Sequence, residues 1–149
     1  MISFAPLSTP PNEAEMHFLY KLLIERRYSI SHCQLPSLES HCDFVANHPY
    51  RFWCIVWVDG LRIGAVYAGF DNSVGIHLLR PSLSHRPGVI RTFLQNFSPL
   101  PAKASIVSGG FTFNVAPEDS DYQTDLRECG ALPLQITFAV KNVESDRFF

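Results

Sequence analysis

The sequence predicts a mixed α/β fold in which a strand and two helices lead into an antiparallel meander, followed by helix, strand, helix and strand. Three local patterns carry this reading. Asp59-Gly60 separates two runs rich in aromatic and β-branched residues, the signature of a two-residue β-hairpin. Between Glu13 and Arg27, the residues Met16, Leu19, Tyr20, Leu23 and Ile24 recur at helical spacing behind Asn12, a good N-cap. Glu118, Asp119, Asp121 and Asp125 crowd the start of a last helix, as the helix dipole favours, and Gly130 stops it.

In chain order, Met1 to Ala5 forms a short strand that ends at the punctuating Pro6, Pro10 and Pro11. After the first helix, Ser37 caps a second, whose apolar face holds Leu38, Cys42, Phe44 and Val45 and which ends before Pro49. Arg51 to Val58, Leu61 to Ala68 and Ser73 to Leu79 make the meander, with Asp71-Asn72 as its second turn. Pro81 and Pro87 bound a loop. Val89, Ile90, Phe93, Leu94 and Phe97 then share one helical face, and Pro87 suits the start of that helix. Ser105 to Val115 reads as a strand broken by a bulge at Gly109-Gly110, Leu134 to Val140 as the last strand, and residues 141–149 as a tail.

The 149 residues, 46% of them hydrophobic, suffice for one domain with one sizeable core, spanning 1–149. Twelve Lys and Arg against fourteen Asp and Glu leave a net charge of −2, which argues against a nucleic-acid or membrane-surface partner. The distribution is less even. From Asn72 to Pro117 there is no carboxylate, and Arg80, Arg86, Arg91 and Lys103 are the only formal charges. The longest apolar run, Phe52 to Val58, falls far short of the roughly 20 residues that span a bilayer. Met1 to Ser8 has no basic start and no long apolar stretch, so no signal peptide is expected there. Cys33, Cys42, Cys54 and Cys129 stand singly, and no histidine pair has helical metal-site spacing. No metal is expected, and the location expected is cytoplasmic.

With these elements in place, the chain from about Glu15 to Val140 resembles the GNAT superfamily of acyl-coenzyme A dependent N-acyltransferases. It looks like the subgroup that acts on small metabolites and nucleotide-linked sugars. The phrases that carry the resemblance are Ile30-Ser31-His32, His48-Pro49-Tyr50-Arg51-Phe52-Trp53 and Asn114-Val115-Ala116-Pro117. The resemblance implies a GNAT-like, mostly antiparallel sheet of about six to seven strands flanked by about four helices. It implies a sheet that opens between the strand ending at Leu79 and the one ending near Val115. The pantetheine arm of acetyl-CoA, the expected co-substrate, would lie in that opening against Leu78, Leu79 and Asn114. Its pyrophosphate would rest on the helix start at Gly88, Val89 and Ile90, a natural anion site in the carboxylate-free stretch.

Two departures bear on activity. Where the resemblance calls for Arg or Gln, Gly, and Gly or Ala in the phosphate loop, this chain has Leu83, Arg86 and Gly88. Arg86 either offers a charged fork to the phosphates or obstructs them. The tyrosine that the resemblance implies as proton donor to the leaving thiolate falls on Leu126. Tyr122, one turn earlier, is the substitute on a similar face.

His77 is the candidate general base, read alternatively as a half-buried strand histidine. Ser31, His32, His41, Tyr50 and Arg51 are candidates for binding a polar or phosphorylated acceptor. In the bland alternative Arg51 pairs with a carboxylate, and the histidines cap helices or face solvent. The expected activity is acyl transfer to an amine on a small-molecule or nucleotide-linked acceptor. A coenzyme-free binding or assembly module is the alternative, and a nucleobase-modifying enzyme a third reading. Exposed edge strands, the last above all, offer a surface for a homodimer.

Overall fold

A computed structural model describes residues 1–26, 34–104 and 109–140. Strands β1 (Ile2–Pro6), β2 (Phe52–Val58), β3 (Leu61–Ala68), β4 (Ser73–Leu78) and β5 (Thr112–Phe113) form one sheet in that spatial order. The first four pair antiparallel, and β4 and β5 pair in parallel. Helices α1 (Glu13–Glu25) and α2 (Leu38–Ala46) precede the meander, α3 (Arg86–Asn96) joins β4 to β5, and α4 (Ser120–Glu128) follows.

The local chemistry accounts for these elements. Asn12 caps α1 by accepting the Glu15 N–H at 2.8 Å, while the Glu15 carboxylate accepts from Asn12 N–H at 2.9 Å and from Ser8 N–H at 3.0 Å. Both Asp59 and Gly60 have positive φ, the conformation of a type I′ hairpin, so the β2–β3 register follows from the turn. Alternation along the strands then sorts side chains between two compartments. Trp53, Ile55 and Ala65 pack under α1 and α2 with Leu19, Leu22 and Val45. Cys54, Val56, Val66, Val74 and Ile76 pack under α3 and α4 with Val89, Ile90, Phe93, Tyr122 and Leu126.

The structure departs from the sequence reading in four places. The described residues hold five strands, fewer than expected. Leu134 to Val140 form no strand; their alternating apolar side chains stay exposed, because a strand needs a ladder partner and the edge strand that precedes them in the chain, β5, is two residues long. β5 begins only at Thr112, after Gly109-Gly110, and the bulge lies instead in the β2–β3 pair, where Val56 faces Gly64 and Trp57 faces Arg62. The segment between Pro81 and Pro87 is no open loop but a 3₁₀ helix, Arg80–His85, that runs straight into α3. Residues 105–108 and the tail at 141–149 lie outside the described residues.

Asn72 ties the parallel edge together. It is fully buried at φ 66°, its amide donates to Leu100 C=O at 2.9 Å and accepts Leu100 N–H at 2.7 Å, and its own C=O accepts from Thr112 N–H at 3.0 Å. Asn72→Ala removes both side-chain bonds, leaves the Leu100 groups unsatisfied and places a β-carbon residue without a compensating amide at positive φ. A loss of about 3 kcal/mol in unfolding free energy is expected from urea titration.

Candidate active site

The parallel pairing of β4 and β5 stops almost as soon as it starts. Ser73 pairs with Thr112 and Val74 with Phe113, and no further β4–β5 pair follows among the described residues. Beyond that point β4 continues to Leu78 while the chain after β5 leaves through Asn114 and Val115, so the sheet forks. Parity along β4 decides which backbone groups face the fork. Ser73 C=O accepts from Gly69 and Leu79 N–H donates to Ile63 C=O, both toward β3, whereas Asn72 C=O accepts from Thr112 on the β5 side. The odd residues therefore serve β3, and Ile76 and Leu78 turn their N–H and C=O groups into the fork. Leu79, expected to contribute here, has both backbone groups engaged: its N–H on Ile63 at 2.8 Å and its C=O by Ser82 N–H at 2.8 Å.

The start of α3, where Gly88 lies close to the Ile2 side chain of β1, offers fewer amides than the sequence suggests. Arg86 N–H donates back to Leu83 C=O in the 3₁₀ helix, and Pro87 has no N–H. The amides of Val89 and Ile90 fall within the α-helical ladder, which leaves Gly88 as the one amide of this turn outside it. Arg86 itself is buried. Its Nε bonds Asp125 Oδ2 at 2.7 Å, and its guanidinium lies 4.5 Å from the Tyr122 ring centroid, so its charge is directed at α4. Tyr122 stands in the core on that face, where burial raises its phenol well above the usual range against the opposing pull of Arg86. Asp119 caps α4 by accepting Tyr122 N–H at 3.1 Å, and Leu126 is buried beside Tyr122 in the same core.

The opposite compartment contains a cavity of about 200 Å³ between α1, α2 and the sheet. Tyr50, Trp53, Tyr67 and Phe44 form its aromatic wall, His41 and His77 contribute imidazoles, and Arg26 lies at its side. Tyr67 pairs with Gly75, and its ring lies across that glycine in the space a β-carbon would occupy, stacked at 4.1 Å on Tyr50 and at 5.9 Å from His77. Burial, and secondarily the Arg26 charge, hold the His77 pKa at about 4, so its imidazole is neutral at pH 7.

Of the expected acceptor residues, Tyr50 and His41 meet at this cavity. Arg51 does not: it precedes β2, where strand alternation does not yet hold, and its guanidinium donates to Ser98 C=O at 2.9 Å and stacks on Phe52. Ser31 and His32 lie outside the described residues. Asn114 is exposed beside the fork. Trp53 and Tyr67 belong to a core cluster and also wall the cavity, and neither they nor Arg26 were anticipated as site residues; the period-two alternation that puts Trp53, Tyr67 and His77 on one face was the available signal.

No protein-family model matches the chain, and neither does any curated protein. Among solved structures it is similar to one described as a possible acetyltransferase from Clostridium difficile 630, with a TM-score of 0.63 over 96% of this chain and 98% of that one. The fold is GNAT-like. At 9% identity the likeness reaches the fold alone. The forked sheet and the Arg86–Asp125 pair are both read from this chain's own structure.

Arg86→Ala leaves the largely buried Asp125 carboxylate without its cation, and a loss of about 3 kcal/mol in urea unfolding is expected, most of it recovered in an Arg86→Met, Asp125→Leu double variant. His77 gives a second test. The unfolded chain takes up the proton near pH 6.5 and the folded chain only near pH 4, so stability is full above 6.5 and falls as the pH drops toward 4. The loss should reach about 3 kcal/mol at most and be largely absent in His77→Gln, as measured by urea unfolding at pH 7 and pH 4.5. His41 and His48, whose pKa values are also lowered by burial, add to the slope in the same direction.

Proposed function

We propose that this protein is an N-acyltransferase that moves an acetyl or related acyl group from acyl-coenzyme A to an amine on a small molecule. The observation that carries this reading is the fork, where β4 presents the backbone groups of Ile76 and Leu78 beside a strand that has turned away. Such groups suit the amides of a pantetheine arm, and an N–H directed at the thioester oxygen would stabilise charge as it develops there. The amine would approach from the cavity on the α1 and α2 side, to which β4 contributes His77. Among the described residues no carboxylate lines that cavity, and Arg26 does, so an amine is favoured there in its neutral, nucleophilic form. Attack forms the C–N bond and breaks the C–S bond; the nitrogen gives up a proton, for which neutral His77 is a weak acceptor, and the thiolate takes one up. The resemblance would give that part to Tyr122, whose phenol burial keeps protonated within the α3 and α4 core.

A second reading has its own support. The 3₁₀ helix before α3 and the inward Arg86 reduce the anion cradle that a pyrophosphate would use, which favours a GNAT-like binding module without coenzyme A. One titration separates the two. Acetyl-CoA added to ¹⁵N-labelled protein is expected to shift the amide resonances of Ile76, Leu78 and Gly88 and to leave Leu79 largely unmoved. If neither acetyl-CoA nor coenzyme A produces a shift or calorimetric heat at millimolar concentration, the transferase reading is wrong and the module reading stands.

A further inference from the structure

The segment after α4 carries five large apolar side chains that the fold leaves uncovered. Leu132, Leu134, Ile136, Phe138 and Val140 are between 69% and 87% exposed, and the alternate residues Pro133, Gln135, Thr137 and Ala139 are exposed as well. Among the described residues, none hydrogen bonds to the backbone from Leu132 to Val140; the one bond inside the segment joins the Gln135 and Thr137 side chains at 3.3 Å. Apolar and polar side chains thus alternate with period two, the pattern of a strand with one face to bury, in a segment that has no strand beside it.

Two requirements identify what pairs with it. The first is length, since a ladder over Leu134 to Val140 needs an open edge that runs as far. Among the described residues β1 offers five residues, the last of them Pro6 without an N–H, β5 offers two, and β4 offers Ile76 and Leu78 beyond the fork. The same segment in a second copy has matching length by construction. The second requirement is side-chain match. Laid antiparallel about a two-fold axis through Thr137, the segment sets Leu134 opposite Val140, Ile136 opposite Phe138, Gln135 opposite Ala139 and Thr137 opposite itself. All the apolar residues then share one face, and aromatic with β-branched and Thr with Thr are pairs that stabilise antiparallel strands. Because the contact is reciprocal, it closes on two copies and does not propagate.

The area is sufficient. At roughly 100 Å² of apolar surface per side chain, the two arms together present about 800 Å². With homodimer interfaces about 65% apolar, that corresponds to an interface of about 1,200 Å², the lower bound for specific association.

We infer that Leu132 to Val140 is a dimerisation arm, and that two copies of this chain join by pairing their arms antiparallel into a two-stranded ribbon. Cys129 and Ala131, at the root of the arm, pack on the α3 and α4 core, so the ribbon springs from that side and its apolar face closes over the two α3–α4 layers. Dimerisation of this kind does not depend on coenzyme A binding.

Sedimentation velocity of the full chain at micromolar concentrations and above is expected to show a dimer. The double variant Ile136→Asp, Phe138→Asp should weaken dimerisation at least about thirtyfold and leave the monomer folded, because both side chains are exposed in it. Register is read separately by oxidative crosslinking. Opposed residues of antiparallel strands lie about 4.5–5.5 Å apart at Cα, within disulfide reach, so Thr137→Cys should link two copies. Gln135→Cys should link poorly alone and readily when mixed with Ala139→Cys, with the unsubstituted chain giving the background from its own cysteines. A monomer at every concentration, a dimer indifferent to the double Asp substitution, Thr137→Cys linking no more than background, or Gln135→Cys linking alone as readily as Thr137→Cys would overturn the inference. None of these measurements involves a thioester, so their outcome and that of the acetyl-CoA titration are read independently.

Discussion

The architecture hangs on one buried asparagine. Asn72 lies at the turn into β4, and through its side chain and main chain it holds the segment at Leu100 and the first residue of β5. A parallel pair of only two residues is too short to hold by its own ladder. Asn72 supplies the anchor, and the strands can then diverge immediately beyond it. The fork is therefore a consequence of tight fixation at one end combined with the departure of the chain at Asn114. A longer β4–β5 ladder would have given a better sheet and no cleft.

Above the fork, the two faces of the sheet have different chemistry. The α3 and α4 side is a dry core in which Phe93, Phe97 and Phe52 pack ring against ring. Its only ion pair among the described residues, Arg86 with Asp125, ties the start of α3 to the second turn of α4. The α1 and α2 side is less completely filled, and its void is bounded by groups with polar edges. A protein under selection for packing alone fills such a space with aliphatic side chains; the tyrosines, tryptophan and histidines here leave it shaped.

Much of the fold was legible because it is encoded locally. Asn12 and Glu15, Asp59-Gly60, Ser37 and Asp119 each fix an end or a turn through contacts within a few residues, and the structure has elements where those signals fall. The site was legible only in part, because it depends on which long-range partner each group finds. A guanidinium at position 86 looks available for phosphate until Asp125, 39 residues later, is brought to 2.7 Å. An amide at Leu79 looks free until β3 claims it. The alternating apolar run at Leu134 to Val140 has the right period for a strand, yet period sets only which side chains share a face, and a ladder also needs an edge of matching length.

The divergence between Tyr50 and Arg51 has a wider consequence. Neighbours in the chain, they serve opposite halves of the molecule, one walling the cavity and the other bracing Ser98. Substitutions at either position act within one compartment. A single-residue insertion or deletion between Pro49 and Phe52 would leave the β2–β3 register, which the Asp59-Gly60 turn sets, in place and would shift Tyr50 off the cavity wall or Arg51 off Ser98. The lead-in to β2 can thus vary in letter far more readily than in length.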